Sequence, residues 1–187
     1  MTSSVLIRQA ARAIWDGGIV AYPTEGVYGL GCLPGSAEAV LRLLQLKSRS
    51  VDAGLIVIAA ELEQLEDWIQ PDRKEARRLR GKPKQATTWI VSARTDTPSW
   101  LTGGRETLAV RVTTHPVAAA LCREADTALV STSANVSGRP PALTALGVRR
   151  RFGKALDCVL AGAVGPDRGS ATEIRRAQNN ALLRPGR

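Results

Sequence analysis

The feature that most constrains the fold of this chain is a nearly continuous apolar run at residues 55–60, LIVIAA. Such a run is typical of a strand covered on both faces, because a strand with one face in water would alternate apolar and polar residues. We therefore predict helices on both sides of a sheet. Further strands are predicted at residues 19–22, 89–93, 108–113, 128–130, 156–160, 172–175 and 181–184, and helices at residues 36–46, 116–122 and 144–152, with a first helix capped by Ser3 or Ser4.

The length and composition fit one folded domain. The chain has 187 residues, of which 44% are hydrophobic and 23% charged, so it can bury a core and is not expected to be disordered. We predict a single α/β (α+β) domain over residues 1–187, with three layers and a twisted, mixed parallel and antiparallel sheet flanked by helices. No linker, internal repeat or low-complexity segment interrupts the sequence.

Residues 129–141, LVSTSANVSGRPP, place small polar side chains directly after an apolar strand. Ser131, Thr132, Ser133 and Asn135, with the free N–H groups of a loop, offer many hydrogen-bond partners for phosphate or carboxylate oxygens. An ordinary polar turn has the same composition, because Ser, Asn and Gly dominate turns. A second stretch of this kind favours the binding site.

That second stretch is residues 19–32, IVAYPTEGVYGLGC. A short strand stops at Pro23, and Thr24 and Glu25 follow it, before a predicted loop with glycines at 26, 29 and 31. Ligands of open α/β sheets lie outside the strand ends. Two strand ends that offer hydroxyls therefore predict a ligand site.

Lys47 and Arg49 follow the predicted helix at residues 36–46. Two cations beside hydroxyl-rich loops predict an anion site. A guanidinium binds a phosphate or carboxylate better than an ammonium group does, because it donates two parallel hydrogen bonds. The alternative is a solvated helix end, where the helix dipole favours cations.

Two further residues invite a functional role. Arg111 lies inside the apolar strand at residues 108–113, and a buried arginine must be paired, so a structural salt bridge and a ligand contact both remain open. His115, the only histidine, precedes Pro116 at a predicted helix start. We expect it to cap or pack there and not to act as a general base.

Several catalytic classes lack their motifs in this chain. It has no Ser-His-Asp set, no carboxylate pair at a defined spacing and no GxxxxGK phosphate loop. Cys32, Cys122 and Cys158 lack CxxC or His-rich spacing and are expected to be reduced core thiols. Cations and hydroxyls at strand ends instead favour phosphoryl or nucleotidyl transfer, which depends on positioning and charge stabilisation.

The formal net charge of +9 favours an anionic partner: nucleic acid, nucleotides or an anionic membrane surface. Residues 61–84 are predicted to be helical and increasingly basic, which indicates either a solvated face or contact with RNA phosphates. No apolar run approaches the roughly 20 residues that a membrane helix needs, and the N-terminus does not resemble a leader. We expect a cytoplasmic protein without membrane contact.

A series of motifs resembles the YrdC/TsaC family, the threonylcarbamoyl-AMP synthases. The motifs are AYPTEGVYGLGC (21–32), LKSRS (46–50) with GLIVIAA (54–60), WLTGG (100–104), LAVRVTTHP (108–116), LVSTSANVSGRPP (129–141), TEI (172–174) and LLRPG (182–186). They occur in order over nearly the whole chain, and PTE, LAVRV with HP, and STSAN are jointly specific. At residues 83–88 the chain departs from the family's Trp-Pro-Gly-Pro-x-Thr segment, and only Thr88 matches it. Ser50 replaces a proline that is usual in the family, Ala171 replaces a common proline, and Arg176 replaces a common aspartate.

The resemblance implies a YrdC-like fold and a defined reaction. L-threonine, bicarbonate or CO2, and ATP would give L-threonylcarbamoyl-AMP and pyrophosphate, the intermediate for the threonylcarbamoyl group on adenosine 37 of certain tRNAs. By the same resemblance, Thr24, Arg111 and Thr172 would bind threonine, and Lys47, Arg49, Thr107, Ser131, Ser133, Asn135 and Arg184 would bind ATP.

The implied partners extend beyond the substrates. Mg²⁺ would arrive with ATP, and no dedicated metal ligands are expected. A basic surface could contact tRNA or double-stranded RNA, and downstream threonylcarbamoyl transferase proteins would use the product. The alternative function is an RNA-binding protein of tRNA or ribosome maturation with weak or no catalysis.

Overall fold

Helices and strands form at most of the predicted places. The computed structural model describes residues 2–81, 83 and 85–186. The helices are α1 (Ser4–Trp15), α2 (Ala37–Lys47), α3 (Arg73–Leu79), α4 (Ser99–Thr102), α5 (Pro116–Ala125) and α6 (Ala145–Phe152). The strands are β1 (Val20–Pro23), β2 (Tyr28–Gly31), β3 (Ile56–Ala59), β4 (Thr87–Ser92), β5 (Thr107–Val112), β6 (Leu129–Ser133), β7 (Cys158–Val159), β8 (Glu173–Arg176) and β9 (Leu182–Arg184).

Hydroxyl caps start three of the helices. The side chains of Ser3, Ser36 and Thr144 each accept a hydrogen bond from a backbone N–H in the first turn of α1, α2 and α6. Each such cap contributes about 1 kcal/mol. The helix starts predicted at these hydroxyls are confirmed.

The strands form one mixed sheet in the order β7-β1-β2-β6-β3-β5-β4-β8-β9. The pairs β1 with β7, β3 with β5, and β4 with β8 are parallel. The remaining neighbours are antiparallel. The predicted mixed sheet flanked by helices is confirmed.

Strand β3 shows why both faces of the sheet are covered. Val57 packs into the core that α2 and α6 build on one face, whereas Ile58 packs into the core that α1 and α5 build on the other. Both side chains are fully buried. Complete burial of such a side chain stabilises the fold by about 1.5–3 kcal/mol. The three layers predicted from residues 55–60 are therefore present.

Helices α1 and α5 cover only part of their face. The strand register places Ile56, Ala109, Ile90 and Arg176 side by side across β3, β5, β4 and β8. All four line an open cavity. The sheet thus supplies both a covered core and an exposed floor on the same face.

The predicted glycine loop after Thr24 is largely a strand. β2 pairs antiparallel with β1, and a Cβ built on Gly31 would lie 2.6 Å from Tyr22 Oη and 2.5 Å from Val130 O. The prediction was wrong because glycines usually mark loops, whereas here they make room for the Tyr22 ring.

Two other predicted segments differ from the structure. β6 continues to Ser133, so Ser131 and Thr132 are strand residues and not part of a loop. Residues 61–84 do not form one helix, because a 3₁₀ turn at Leu62–Leu65 is followed by a bridge from Ile69 to Ala93, and α3 begins only after its capping residue Asp72. Lys82 and Lys84 of that segment lie outside the described residues.

The cysteines are free thiols. Cys32 and Cys122 are buried and Cys158 is half-buried. Burial raises the pKa of the Cys32 and Cys122 thiols to about 12, so neither forms a thiolate readily. Among the helices of the described residues, none is long and apolar enough to cross a membrane.

Candidate active site

The open part of the sheet is the floor of a cavity of about 660 Å³. Five guanidinium groups line it, those of Arg49, Arg105, Arg111, Arg176 and Arg184. Its hydroxyl and amide side chains include Thr24, Thr107, Ser131, Ser133, Asn135 and Thr172. No Asp or Glu of the described residues lines the cavity, so its field favours an anion.

This cavity collects nine of the ten residues that the sequence predicted for the site, and the exception is Lys47. The contributions come from the turn after β1, the segment after α2, strand β5, strand β6 with the segment after it, the residue before β8, and strand β9. Residues far apart in the chain therefore line one cavity.

Arg111 is the buried centre of the cavity, with 6% of its surface exposed. Its Nη1 donates to Thr172 Oγ1 at 2.9 Å and to Thr88 Oγ1 at 3.4 Å, and its Nη2 lies 3.4 Å from Glu25 Oε2. Its buried Nε has no hydrogen-bond partner among the described residues. The salt bridge that the sequence left open is present, and Nε remains without a partner among these residues.

Glu25 is the counter-ion that sequence reasoning noted but gave no role. Its Oε1 accepts hydrogen bonds from Thr113 Oγ1 at 2.6 Å and from the Thr114 N–H at 3.1 Å. Burial would raise the pKa of this carboxyl, but the charge of Arg111 and these hydrogen bonds outweigh burial and lower it. Glu25 is therefore an ionised carboxylate. Its place directly after Thr24 was the available signal.

The turn that carries Thr24 and Glu25 is closely packed. Both the N–H and the hydroxyl of Thr24 donate to Val27 O, at 3.0 and 2.7 Å, and the Gly165 N–H donates to Thr24 O at 2.9 Å. A Cβ at Gly26 would lie only 2.1 Å from Ser170 O. Only glycine fits at position 26, and the turn is held against residues 165–170.

Lys47 lies beneath the segment that follows β6 and does not line the cavity. It is 2% exposed, and its Nζ donates to Ser133 O at 2.5 Å, to Asn135 O at 2.7 Å and to Asn135 Oδ1 at 3.4 Å. These acceptors match the three N–H donors of an ammonium group. Burial, and then the charge of Arg49, lower the pKa of Lys47 to about 8.

A second cation holds the same segment, which we call the Asn135 loop (residues 134–141). Arg151 Nη1 donates to Ala134 O at 3.0 Å and to Pro140 O at 2.5 Å. Asn135 Nδ2 in turn donates to Arg139 O at 2.7 Å. Lys47 and Arg151 therefore fix the backbone that presents Ser133 and Asn135 to the cavity.

Arg49 and Arg184 bring two more guanidiniums towards Arg111. Arg49 Nη2 donates to Gly54 O at 2.9 Å, and Arg184 Nη2 donates to Thr172 O at 2.8 Å. Burial lowers the pKa of both, and the charges of Arg111 and Arg49 lower that of Arg184 further. Three mutually repelling cations gain stability when an anion binds between them.

The structure adds two arginines that sequence reasoning did not assign to the site. Arg105 donates to Thr102 O at 3.0 Å and to Asp52 O at 2.7 Å. The Arg176 side chain makes no hydrogen bond or ion pair with the residues that the structure describes. No local sequence pattern marked either arginine, because only the folded sheet brings them to the cavity.

His115 is a packing residue, and packing is one of the two roles that the sequence predicted for it. It occupies the N-cap position of α5, but its side chain makes no capping bond, and its Nε2 lies 3.0 Å from Ala163 O. It does not line the cavity. Within the described residues, no group of three or more His, Cys, Asp and Glu side chains could hold a metal ion.

Comparison with known proteins identifies the family. The model of the Sua5/YciO/YrdC family, whose description is telomere recombination, matches residues 12–186. This chain belongs to that family. A relative from Nitrosococcus oceani, named threonylcarbamoyl-AMP synthase, is 52% identical over 95% of this chain and 96% of its own length. A relative of the same name from Halorhodospira halophila is 49% identical, over 95% of this chain and 93% of its own length.

Solved structures of the Sua5/YciO/YrdC family have the same fold. P. abyssi Sua5 in complex with L-threonine superposes with a TM-score of 0.90 and 33% identity over 98% of this chain. This chain spans 55% of that Sua5 chain. E. coli YciO, at 24% identity and a TM-score of 0.82, covers 98% of this chain and is matched over 90% of its own length, which supports the fold.

Proposed function

We propose that this chain is a threonylcarbamoyl-AMP synthase, which forms L-threonylcarbamoyl-AMP and pyrophosphate from L-threonine, bicarbonate or CO2, and ATP. The observation that carries the proposal is the arginine-lined cavity centred on buried Arg111. The relatives named threonylcarbamoyl-AMP synthase, at 49–52% identity, support the same reaction. An RNA-binding protein without catalysis is the less favoured alternative, because it would not need this cavity.

Threonine binds at the Arg111 end of the cavity. The guanidinium receives the amino acid carboxylate, since its charge is only partly matched by Glu25 at 3.4 Å and its Nε has no partner in the described residues. Thr24 and Thr172 supply hydroxyls beside it. The related P. abyssi Sua5 is in complex with L-threonine, which supports threonine as the ligand.

ATP binds along the hydroxyls and cations of the remaining cavity. Arg49 and Arg184 pair with phosphate oxygens, and the polar side chains of Thr107, Ser131, Ser133 and Asn135 lie beside the phosphates or the adenylate. Lys47 stabilises the same anion from below, through the backbone of Ser133 and Asn135. Mg²⁺ bound to the phosphates supplies further positive charge when ATP is present.

The chemistry needs positioning and charge stabilisation. The amine nitrogen of threonine bonds to the carbon of CO2 with loss of an N–H proton to solvent, or to the carbon of bicarbonate with loss of water, and a carbamate forms. A carbamate oxygen then attacks the α-phosphorus as the bond to pyrophosphate breaks. Negative charge on the phosphates is stabilised by guanidiniums that are already in place, so little reorganisation is required.

Two further partners belong to the proposal. The product serves modification of adenosine 37 in tRNA by downstream threonylcarbamoyl transferase proteins, and the enzyme acts in the cytoplasm, where those partners are. The exposed cations of α3, such as Lys74 and Arg77, give a basic surface for tRNA or double-stranded RNA.

The decisive experiment measures pyrophosphate release by the purified protein with ATP and magnesium, while threonine and bicarbonate are omitted in turn. Release that requires both, with the adenylate verified by mass spectrometry, is the expected result. A protein that binds RNA but releases no pyrophosphate under any of these conditions would overturn the proposal in favour of the RNA-binding alternative.

A further inference from the structure

We propose that Glu25 is the positioning residue for Arg111, fixing the guanidinium so that its unused edge receives the carboxylate of the amino acid substrate. This inference rests on the proposed function, because it assigns Arg111 to threonine. It adds to the residues proposed for threonine binding one that does not line the cavity, since Glu25 is 5% exposed and lies behind Arg111.

The first support is that β5 and the two residues after it hold both partners. Arg111 belongs to β5, and Thr113 and Thr114, which follow that strand, donate to Glu25 Oε1 at 2.6 and 3.1 Å. The other oxygen, Oε2, is therefore the one that faces Arg111 Nη2 at 3.4 Å. The carboxylate cannot rotate away without losing two hydrogen bonds.

The second support is the fixed backbone under Glu25. Its neighbours Thr24 and Gly26 accept hydrogen bonds from the Gly165 and Gly169 N–H groups at 2.9 and 2.8 Å. Gly26 also packs so closely against Ser170 that no side chain fits there. The turn thus fixes the position of the Glu25 carboxylate, and the carboxylate fixes the position of the Arg111 guanidinium.

The third support is the division of the guanidinium donors. Nη2 is directed at Glu25, in the turn after β1, and Nη1 at Thr172 and Thr88, before β8 and in β4, so anchors at both Nη atoms determine the plane of the group. With the plane fixed, a substrate carboxylate meets a preorganised fork instead of a mobile side chain.

A general-base role for Glu25 fits the structure less well. Its Oε2 is buried without a hydrogen-bond partner among the described residues, and Glu25 does not line the cavity. The pKa of the carboxyl is lowered, which makes it a weak base. A carboxylate in this position orients a cation better than it takes a proton from substrate.

The test is Glu25→Gln. The Gln oxygen can keep the bonds from Thr113 and Thr114, which turns its NH2 group towards Nη2 of Arg111 and sets donor against donor. We expect the KM for threonine and the calorimetric dissociation constant of L-threonine to rise about tenfold or more, while the KM for ATP stays within about twofold.

Glu75→Gln is the matched control. Glu75 is 4% exposed and accepts hydrogen bonds from the Ser92 and Asp72 N–H groups at 3.1 and 3.0 Å, but it lies outside the cavity lining. Its substitution disturbs a buried acid to a similar degree, so any change in threonine affinity that stability loss alone could cause will appear in this variant too.

Thr113→Val provides a second measurement if Glu25→Gln does not fold. It removes the hydroxyl that holds Glu25 and retains both charges, and we expect the KM for threonine to rise about threefold at an unchanged KM for ATP. Unchanged threonine affinity in the folded variants, or equal loss for threonine and ATP, would overturn the inference. A wild-type protein without pyrophosphate release would instead overturn the proposed function.

Discussion

Two buried cations of the site, Arg111 and Lys47, differ in how the fold uses their hydrogen-bond donors. Lys47 has its three N–H donors directed at Ser133 O, Asn135 O and Asn135 Oδ1. Arg111 has five N–H donors, and its Nε remains without a partner among the described residues. The number of donors already used inside the protein therefore separates Arg111, which binds substrate under the proposed function, from Lys47, which supports a loop.

The largest effect is expected from substitution of Arg111. Arg111→Lys keeps the charge but cannot contact Glu25, Thr172 and a carboxylate with one fork. We expect kcat/KM for threonine, measured by pyrophosphate release, to fall about 100-fold. Arg150→Lys, at an exposed position of α6, is the control and should not change it. A loss below about threefold would make Arg111 only a structural partner of Glu25.

The next largest effect is expected from substitution of Lys47. Lys47→Met keeps the length of the side chain but leaves its oxygen acceptors unsatisfied, so the Asn135 loop should loosen. We expect the KM for ATP to rise about tenfold and the free energy of unfolding to fall by about 2 kcal/mol, as measured by urea denaturation. The KM for threonine should stay within about twofold. Equal losses for both substrates would remove the distinction between the two cations.

The pH dependence should distinguish the cations as well. Burial and then the charge of Arg49 lower the pKa of Lys47 to about 8. The positive charge of Lys47 is present below this pKa and is lost above it. We therefore expect kcat/KM for ATP to fall as pH rises through about 8 and to level off about tenfold lower, at the loss expected for Lys47→Met.

Lys47→Met has no ammonium group to titrate, so its profile should lack this alkaline decrease. A wild-type profile that stays flat up to pH of about 9.5 would show that the charge of Lys47 does not reach the nucleotide.

The smallest expected effects compare the two threonine hydroxyls that accept hydrogen bonds from Arg111. Thr172 Oγ1 lies 2.9 Å from Nη1, while Thr88 Oγ1 lies 3.4 Å away. Thr172→Val should therefore raise the KM for threonine by about fivefold and Thr88→Val by about twofold, in steady-state assays at saturating ATP. The reverse order would mean that Thr88, and not Thr172, holds the guanidinium during turnover.

Much of the fold was predictable because local patterns and tertiary packing agree. The apolar run at residues 55–60 requires cover on both faces, and the structure places Val57 and Ile58 in opposite cores. The hydroxyls Ser36 and Thr144 cap helices where the sequence predicted them. In each case the deciding interaction lies within a few residues or follows from burial alone.

The errors arose where a distant residue decides the local structure. Gly29 and Gly31 lie in a strand because β2 pairs with β1 and β6, and the Tyr22 ring of β1 occupies the space above these glycines. The segment before α3 is interrupted because Ile69 bridges to Ala93 in preference to continuing a helix. Neither partner can be identified from the local sequence.

The sequence by itself determined which residue types meet at the strand ends: arginines and hydroxyls, with Arg111 inside an apolar strand that demands a partner. Only the tertiary structure decided that this partner is Glu25, that Lys47 supports the Asn135 loop from below, and that Arg105 and Arg176 join the cavity. The physical reason is that composition and periodicity report whether a side chain is buried. Which donor meets which acceptor depends on strand order and register, and these are set by contacts between residues far apart in the chain.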